Sequence, residues 1–140
     1  MYRNLLIPVA YEPGFDLKRE LEIAKALQAP GGRVTLLHVM DPVPFYAIDY
    51  MPEGWREELV AAIKADMSAQ SADIPGAGVA VTDGDPGRAV LDWINAEGVD
   101  CVVLASHRSD RALFGSTASW VARHATCAVH LIREPTGAAD

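Results

Sequence analysis

Between residues 105 and 133 four arginines, Arg108, Arg111, Arg123 and Arg133, stand against Asp110 alone, a local charge of +3 in a chain whose net charge is −7. Two of them lie in a stretch that begins Ser106, His107, Arg108 and closes with Gly115, Ser116, Thr117. Guanidinium groups offer planar forks of N–H donors to carboxylate or phosphate oxygens. Gly115 to Thr117 precede a run of apolar and small residues, the pattern of a helix start whose first backbone N–H groups lack partners and lie at the positive end of the dipole. Together these features suit an anion. Ser106 beside His107 raises nucleophilic catalysis, but neighbours on a strand point apart, no G-x-S-x-G elbow is present and no acid is placed to orient the histidine. A lysine in a G-x-x-x-x-G-K loop is also missing. The stretch reads as a binding loop, with no catalytic residue assigned.

The elements that would hold this loop lie on either side of it. Val102 to Ala105 is a short β-branched run of the kind that forms a strand buried on both faces. A helix follows from Gly115, and Ala128 to Ile132 reads as the last strand. Upstream, Tyr2 to Val9 is a central strand with Pro8 at its carboxyl end, because proline gives the ladder no N–H. Asp16 to Gln28 has Leu17, Leu21, Ala24 and Leu27 at helical spacing, and Pro30, Gly31 and Gly32 end that helix. Arg33 to Met40 is the second strand; His38 within it reads as a satisfied or edge-exposed histidine, ahead of a ligand. Trp55 to Ser71 is a helix with a stripe of Trp55, Leu59, Ala62, Ile63 and Met67. Gly78 to Thr82 is a strand, and Asp85 caps a helix with Pro86 at its first position, Arg88 to Ala96 presenting Val90, Leu91 and Ile94 inward before Gly98 ends it. This alternation of five strand and four helix signals implies one parallel sheet with helices on both faces.

At 140 residues the chain fits a single domain with a sizeable core, and 50% hydrophobic with 22% charged residues is a globular composition. The acidic balance opposes non-specific nucleic-acid binding, which needs lysine and arginine to displace counterions. No apolar run suggests a membrane span, and MYRNLLIPVA lacks the pattern of a secretory leader, so a cytoplasmic location is expected. Cys101 and Cys127 suit a reducing compartment as small hydrophobes, and no C-x-x-C or paired histidines suggest a metal. Pro135 to Asp140 is small and polar, a frayed tail after a domain spanning 1–134.

The segment from Cys101 to Arg133, CVVLASHRSDRALFGSTASWVARHATCAVHLIR, resembles the universal stress protein family, whose signature is a strand, G-x-x-G, a spacer, then G-S or G-T opening a helix. Ala105 to Arg108 stand at the first half of that signature with both glycines replaced, and Gly115 to Thr117 match the second. ASHR, GS and RHA-C together are similar to the branch represented by enterobacterial universal stress proteins F and G. Only Ser109 to Phe114 separate the two halves, a shorter spacer than the family's.

The resemblance implies a Rossmann-like, adenine nucleotide alpha hydrolase-like sheet in the order 3-2-1-4-5. In such a sheet ligands bind outside the carboxyl ends where the strand order reverses. It further implies an adenine nucleotide, ATP or a relative with or without Mg, meeting Pro8, Val9 and Ala10, with Val39 against the adenine. Ala105, Ser106, His107 and Arg108 would form the first phosphate loop, and Gly115, Ser116 and Thr117 the second. Ala10 stands where the family usually has an acid, so a hydrogen-bond acceptor is lost there. The expected function is a nucleotide-binding regulatory protein of the stress response that is not an enzyme. The alternative is a dimeric interaction module that carries no ligand. Ala128 to Ile132, as an edge strand, is the expected homodimer surface, with Val129, Leu131 and Ile132 packing across it. Asp41 to Pro52, with Pro42, Pro44 and Pro52 among Phe45, Tyr46 and Tyr50, is expected to be an ordered loop serving as lid, partner surface or packing over the sheet.

Overall fold

The computed structural model describes residues 1–105 and 115–133, the side chains of Gly115 and Ser116 apart. The strands are β1 (Tyr2–Pro8), β2 (Gln28–Met40), β3 (Ala77–Asp83), β4 (Cys101–Ala105) and β5 (Ala128–Ile132). The helices are α1 (Lys18–Leu27), α2 (Phe45–Ile48), α3 (Trp55–Gln70), α4 (Pro86–Glu97) and α5 (Gly115–His124). The strands form one parallel sheet ordered β3-β2-β1-β4-β5, the order expected.

Period-two alternation sends the strands' apolar side chains to two separate cores. Leu5, Ile7, Val34, Leu36 and Val103 meet Leu21 and Ala24 of α1 and Ile63 and Met67 of α3. Leu6, Leu37, Val102 and Leu104 meet Val90 and Ile94 of α4 and Ala118 and Val121 of α5. Burial on both faces is why β1 and β4 are continuous apolar runs. The start of α4 is as read: the Asp85 carboxylate accepts from Arg88 N at 3.1 Å, Pro86 opens the helix, and Gly98 closes it at φ 68°.

Four details differ from the sequence reading. The glycine pair after α1 does not precede the second strand but lies within it, because Gln28 already pairs with Tyr2 and the register then jumps to Asn4↔Arg33. Gln28 Nε2 donates to the Gly32 carbonyl at 2.8 Å and closes this bulge. On α3, Ile63 and Met67 are buried and Trp55 packs partly buried beside them as expected, but half-buried Val60 joins them while Leu59 and Ala62 face solvent. Leu91 is only half-buried on α4. The Asp41 to Pro52 segment contains a helix of one turn, α2, started by Ala47 N donating to the Pro44 carbonyl at 2.8 Å.

Cys101 is buried on the α1/α3 side while Cys127 packs toward the α4/α5 side, so the sheet separates the two thiols. Burial pushes the Cys101 thiol up to about 11, with Cys127 and Asp100 adding to it, and a thiol protonated at neutral pH is a weak nucleophile. Among the described residues, no helix is long and apolar enough to cross a membrane.

Candidate functional site

The order β3-β2-β1-β4-β5 places β1 and β4 side by side while their outgoing connections diverge. From β1 the chain runs through α1 on one face; from β4 it runs to α5 on the other. Diverging connections leave a crevice at the carboxyl ends of the two strands.

A cleft of about 380 Å³ opens there. Pro8 and Ala10 line it from the end of β1, Ala105 from β4 and Ile132 from β5. The rest of its described lining is the β1–α1 connection (Glu12, Gly14, Phe15, Asp16, Leu17) and the first turn of α1 (Lys18, Arg19, Glu20). The sheet fixes the floor: Val9 N still donates to the Leu37 carbonyl at 2.8 Å, and only beyond it does the chain leave the ladder. His38 donates from Nδ1 to the Val9 carbonyl at 2.9 Å, a satisfied histidine that secures the same turn.

The wall is held from α3. Gln70 donates from its amide to the Phe15 carbonyl and accepts from Leu17 N, both at 2.8 Å. One turn earlier on the same helix face, Asp66 accepts from the Tyr11 hydroxyl. That hydrogen bond, with lesser contributions from desolvation and the Asp66 charge, raises the Tyr11 pKa. The Tyr11 ring contacts Phe15 and His38 at centroid distances of 5.1 and 5.8 Å. Opposite, Arg19 reaches the Arg133 carbonyl at 3.4 Å, joining the start of α1 to the end of β5.

Pro8, Ala10 and Ala105, three of the residues expected to meet the ligand, converge on this cleft. Val9 does not line it: its side chain is buried in the α1/α3 core beneath. Val39 packs toward α4 and α5, on the opposite face of the sheet. Thr117 lies half-buried in the first turn of α5, outside the cleft lining, and Gly115 and Ser116 open that helix as expected. Ser106, His107 and Arg108 lie outside the described residues.

Sequence reasoning missed Glu12, Asp16, Lys18, Arg19 and Glu20. Their signal was position: polar side chains clustered directly after a strand and into the next helix belong to the carboxyl edge of any parallel sheet. Glu12 and Asp16 put carboxylates near Ala10, which has none.

A parallel sheet with helices on both faces and a cleft at its switch point defines a doubly wound α/β domain. Residues 1–133 match the universal stress protein family, and the chain belongs to that family. It is 30% identical over 139 residues to a universal stress protein of Thermus aquaticus, covering 95% of this chain and all of that one. The structure of universal stress protein UspA from Lactobacillus plantarum is similar at 26% identity and TM-score 0.75, covering 94% of this chain and 98% of that one. A universal stress protein family protein from Arabidopsis thaliana with AMP bound shares the fold at 19% identity and TM-score 0.65, with 98% of both chains covered.

Proposed function

We propose that the chain binds an adenine nucleotide between the carboxyl ends of β1 and β4 and acts as a cytoplasmic regulatory protein of the stress response that senses the nucleotide without turning it over. The observation that carries this reading is the cleft at the switch point, into which Pro8, Ala10 and Ala105 converge. AMP in the Arabidopsis relative supports the ligand class. In this reading the nucleoside lies against Pro8 and Ala10, and the phosphates lie toward the N–H groups that open α5 at Gly115 and Ser116, with Ser106 to Arg108 completing the loop. With arginine in place of glycine and a short spacer, AMP and ADP compete well with ATP.

Calorimetry with AMP, ADP and ATP tests it. Ser116→Ala removes one hydrogen bond to a charged acceptor, about 0.5–3 kcal/mol, a loss of a few-fold to roughly a hundredfold. Gly115→Val crowds the phosphates and costs more. Equal affinities across all three proteins would move the phosphate site elsewhere. If the unaltered chain binds none of the three at about millimolar concentration, the ligand-free interaction module replaces this reading. ATP turnover abolished by His107→Ala would make the protein an enzyme.

The functional unit in this reading is a homodimer through β5, which among the described strands hydrogen-bonds only to β4. Leu131 is 37% exposed there, whereas Ile132, expected to pack across the interface, is buried in the α1/α3 core. Leu131→Lys should therefore give a folded monomer by light scattering; a monomeric unaltered chain at micromolar concentration rules the dimer out.

A further inference from the structure

Seven large apolar side chains are exposed among the described residues, and four of them, Phe45, Tyr46, Ile48 and Tyr50, fall within one six-residue segment around α2. Scattered exposed hydrophobes need no explanation; a contiguous cluster does. Tyr50 is 88% and Phe45 85% exposed, and none of the four belongs to either core. None lines the ligand cleft.

The segment holds its shape although its side chains face outward. Tyr50 N donates to the Ala47 carbonyl and Met51 N to the Ile48 carbonyl, both at 3.1 Å. The Phe45 and Tyr46 rings meet edge to face at 5.8 Å. Pro42, Pro44 and Pro52 restrict the backbone on both sides. Downstream, Trp55 packs on the α1/α3 core and Arg56 forms an ion pair with Asp83, tying the start of α3 to the end of β3. A patch built in advance has already lost much of the entropy that binding costs.

Charge selects the occupant. Asp41, Asp49, Glu53, Glu57 and Glu58, in the same segment and the first turn of the helix that follows, are all exposed, and Arg56, the one cation between residues 41 and 58, is engaged by Asp83. A second copy of the chain would bring two acidic rims together, and an anionic membrane would meet the same repulsion. Lysine or arginine side chains would pair with the rim and lie over the ring faces, while apolar side chains cover Phe45, Ile48 and Tyr50.

We propose that residues 41–58 are a docking surface for a lysine- or arginine-rich amphipathic helix of a partner protein, apart from and independent of the nucleotide cleft.

The test uses the full chain and a fluorescent synthetic Leu/Lys amphipathic helix, with a Leu/Glu helix of the same pattern as control, read by anisotropy. Phe45→Ser with Tyr50→Ser keeps the charge and removes the apolar surface; Glu53→Gln with Glu57→Gln and Glu58→Gln does the converse. Each should weaken the Leu/Lys helix by about tenfold or more, with unchanged circular dichroism and melting midpoint. If the double serine variant melts lower, Tyr50→Ser alone is used in its place. The proposal is overturned if the unaltered chain does not bind the Leu/Lys helix at about 100 μM, if the Leu/Glu helix binds as well, or if the serine variant binds as tightly as the unaltered chain. It is also overturned if the serine changes shift the sedimentation of the protein alone, making a second copy the occupant, or abolish capture by phosphatidylserine vesicles, making it a membrane.

Discussion

The two edges of the sheet spend their polar groups differently. At the amino edge, the Asp100 carboxylate accepts from Arg3 N at 2.9 Å and Asn4 N at 3.0 Å, while Asp100 N donates to the Asn4 carbonyl. Asn4 Nδ2 reaches the Glu97 carbonyl at 2.8 Å, and Gln28 bridges the carbonyls of Gly32 and Pro75. Side chains there close on backbone and stitch strand starts together. At the carboxyl edge, Glu12, Asp16, Lys18 and Arg19 line a cleft, although Asp16 also accepts from Lys18 N at 3.0 Å and Arg19 also reaches the Arg133 carbonyl. Satisfied clasps stabilise a fold, whereas polar side chains gathered around a cleft are available to a ligand. Changes at the amino edge should therefore alter stability and spare ligand affinity, and changes at the carboxyl edge the reverse.

The largest effect should come from Gly76→Ala. Gly76 has φ +75°, and an added Cβ would run into the Gly32 carbonyl oxygen, a backbone atom that cannot swing aside. Left-handed strain plus overpacking should cost about 2–4 kcal/mol in urea unfolding. A loss below about 0.5 kcal/mol would mean that this edge yields easily and the contrast is weaker than drawn. Next comes Asp100→Ala, which takes the acceptor from two backbone N–H groups and should cost about 1–3 kcal/mol. Its affinity for AMP should stay that of the unaltered chain; a parallel fall in affinity would show that the two edges are coupled.

Gln70→Ala probes the boundary between the two behaviours. It removes the two hydrogen bonds by which α3 holds Phe15 and Leu17, so stability should fall by about 1–2 kcal/mol and AMP affinity by a few-fold. Unchanged affinity with reduced stability would make the clamp part of the fold alone.

That clamp also marks where the sequence stopped being informative. The strand and helix alternation, the Asp85–Pro86 start of α4, the Gly98 stop and the limits of β5 are written in local patterns: period, proline, glycine and small polar caps. Gln70 with Leu17, Tyr11 with Asp66 and Asp100 with Arg3 are separated by 53, 55 and 97 residues, and no local pattern encodes such pairs. For the same reason the sequence does not show the face on which the cleft opens, toward α1, and Val39 packs on the side of the sheet away from that cleft. The bulge in β2 was hidden because a Pro-Gly-Gly run usually ends an element; here it is absorbed by the pairing of Gln28 with Tyr2 before the register jump.

The smallest effect, and the sharpest in its signature, belongs to Tyr11→Phe. Its hydroxyl donates to Asp66, and this bond raises the phenol's pKa above the ordinary value of 10.0. A group whose folded pKa is raised contributes its stability fully below the unfolded value and loses it as pH climbs through the folded one. The melting-midpoint difference between the unaltered protein and Tyr11→Phe should therefore be level through neutral and mildly alkaline pH, then shrink above pH 10. The difference between their ultraviolet titrations isolates one phenol, and its midpoint should fall above 10.0. A midpoint at or below that value would mean that the Asp66 bond does not form in solution. The wall of the cleft would then rest on Gln70 alone, and Gln70→Ala should act on AMP affinity more strongly than the few-fold stated for it.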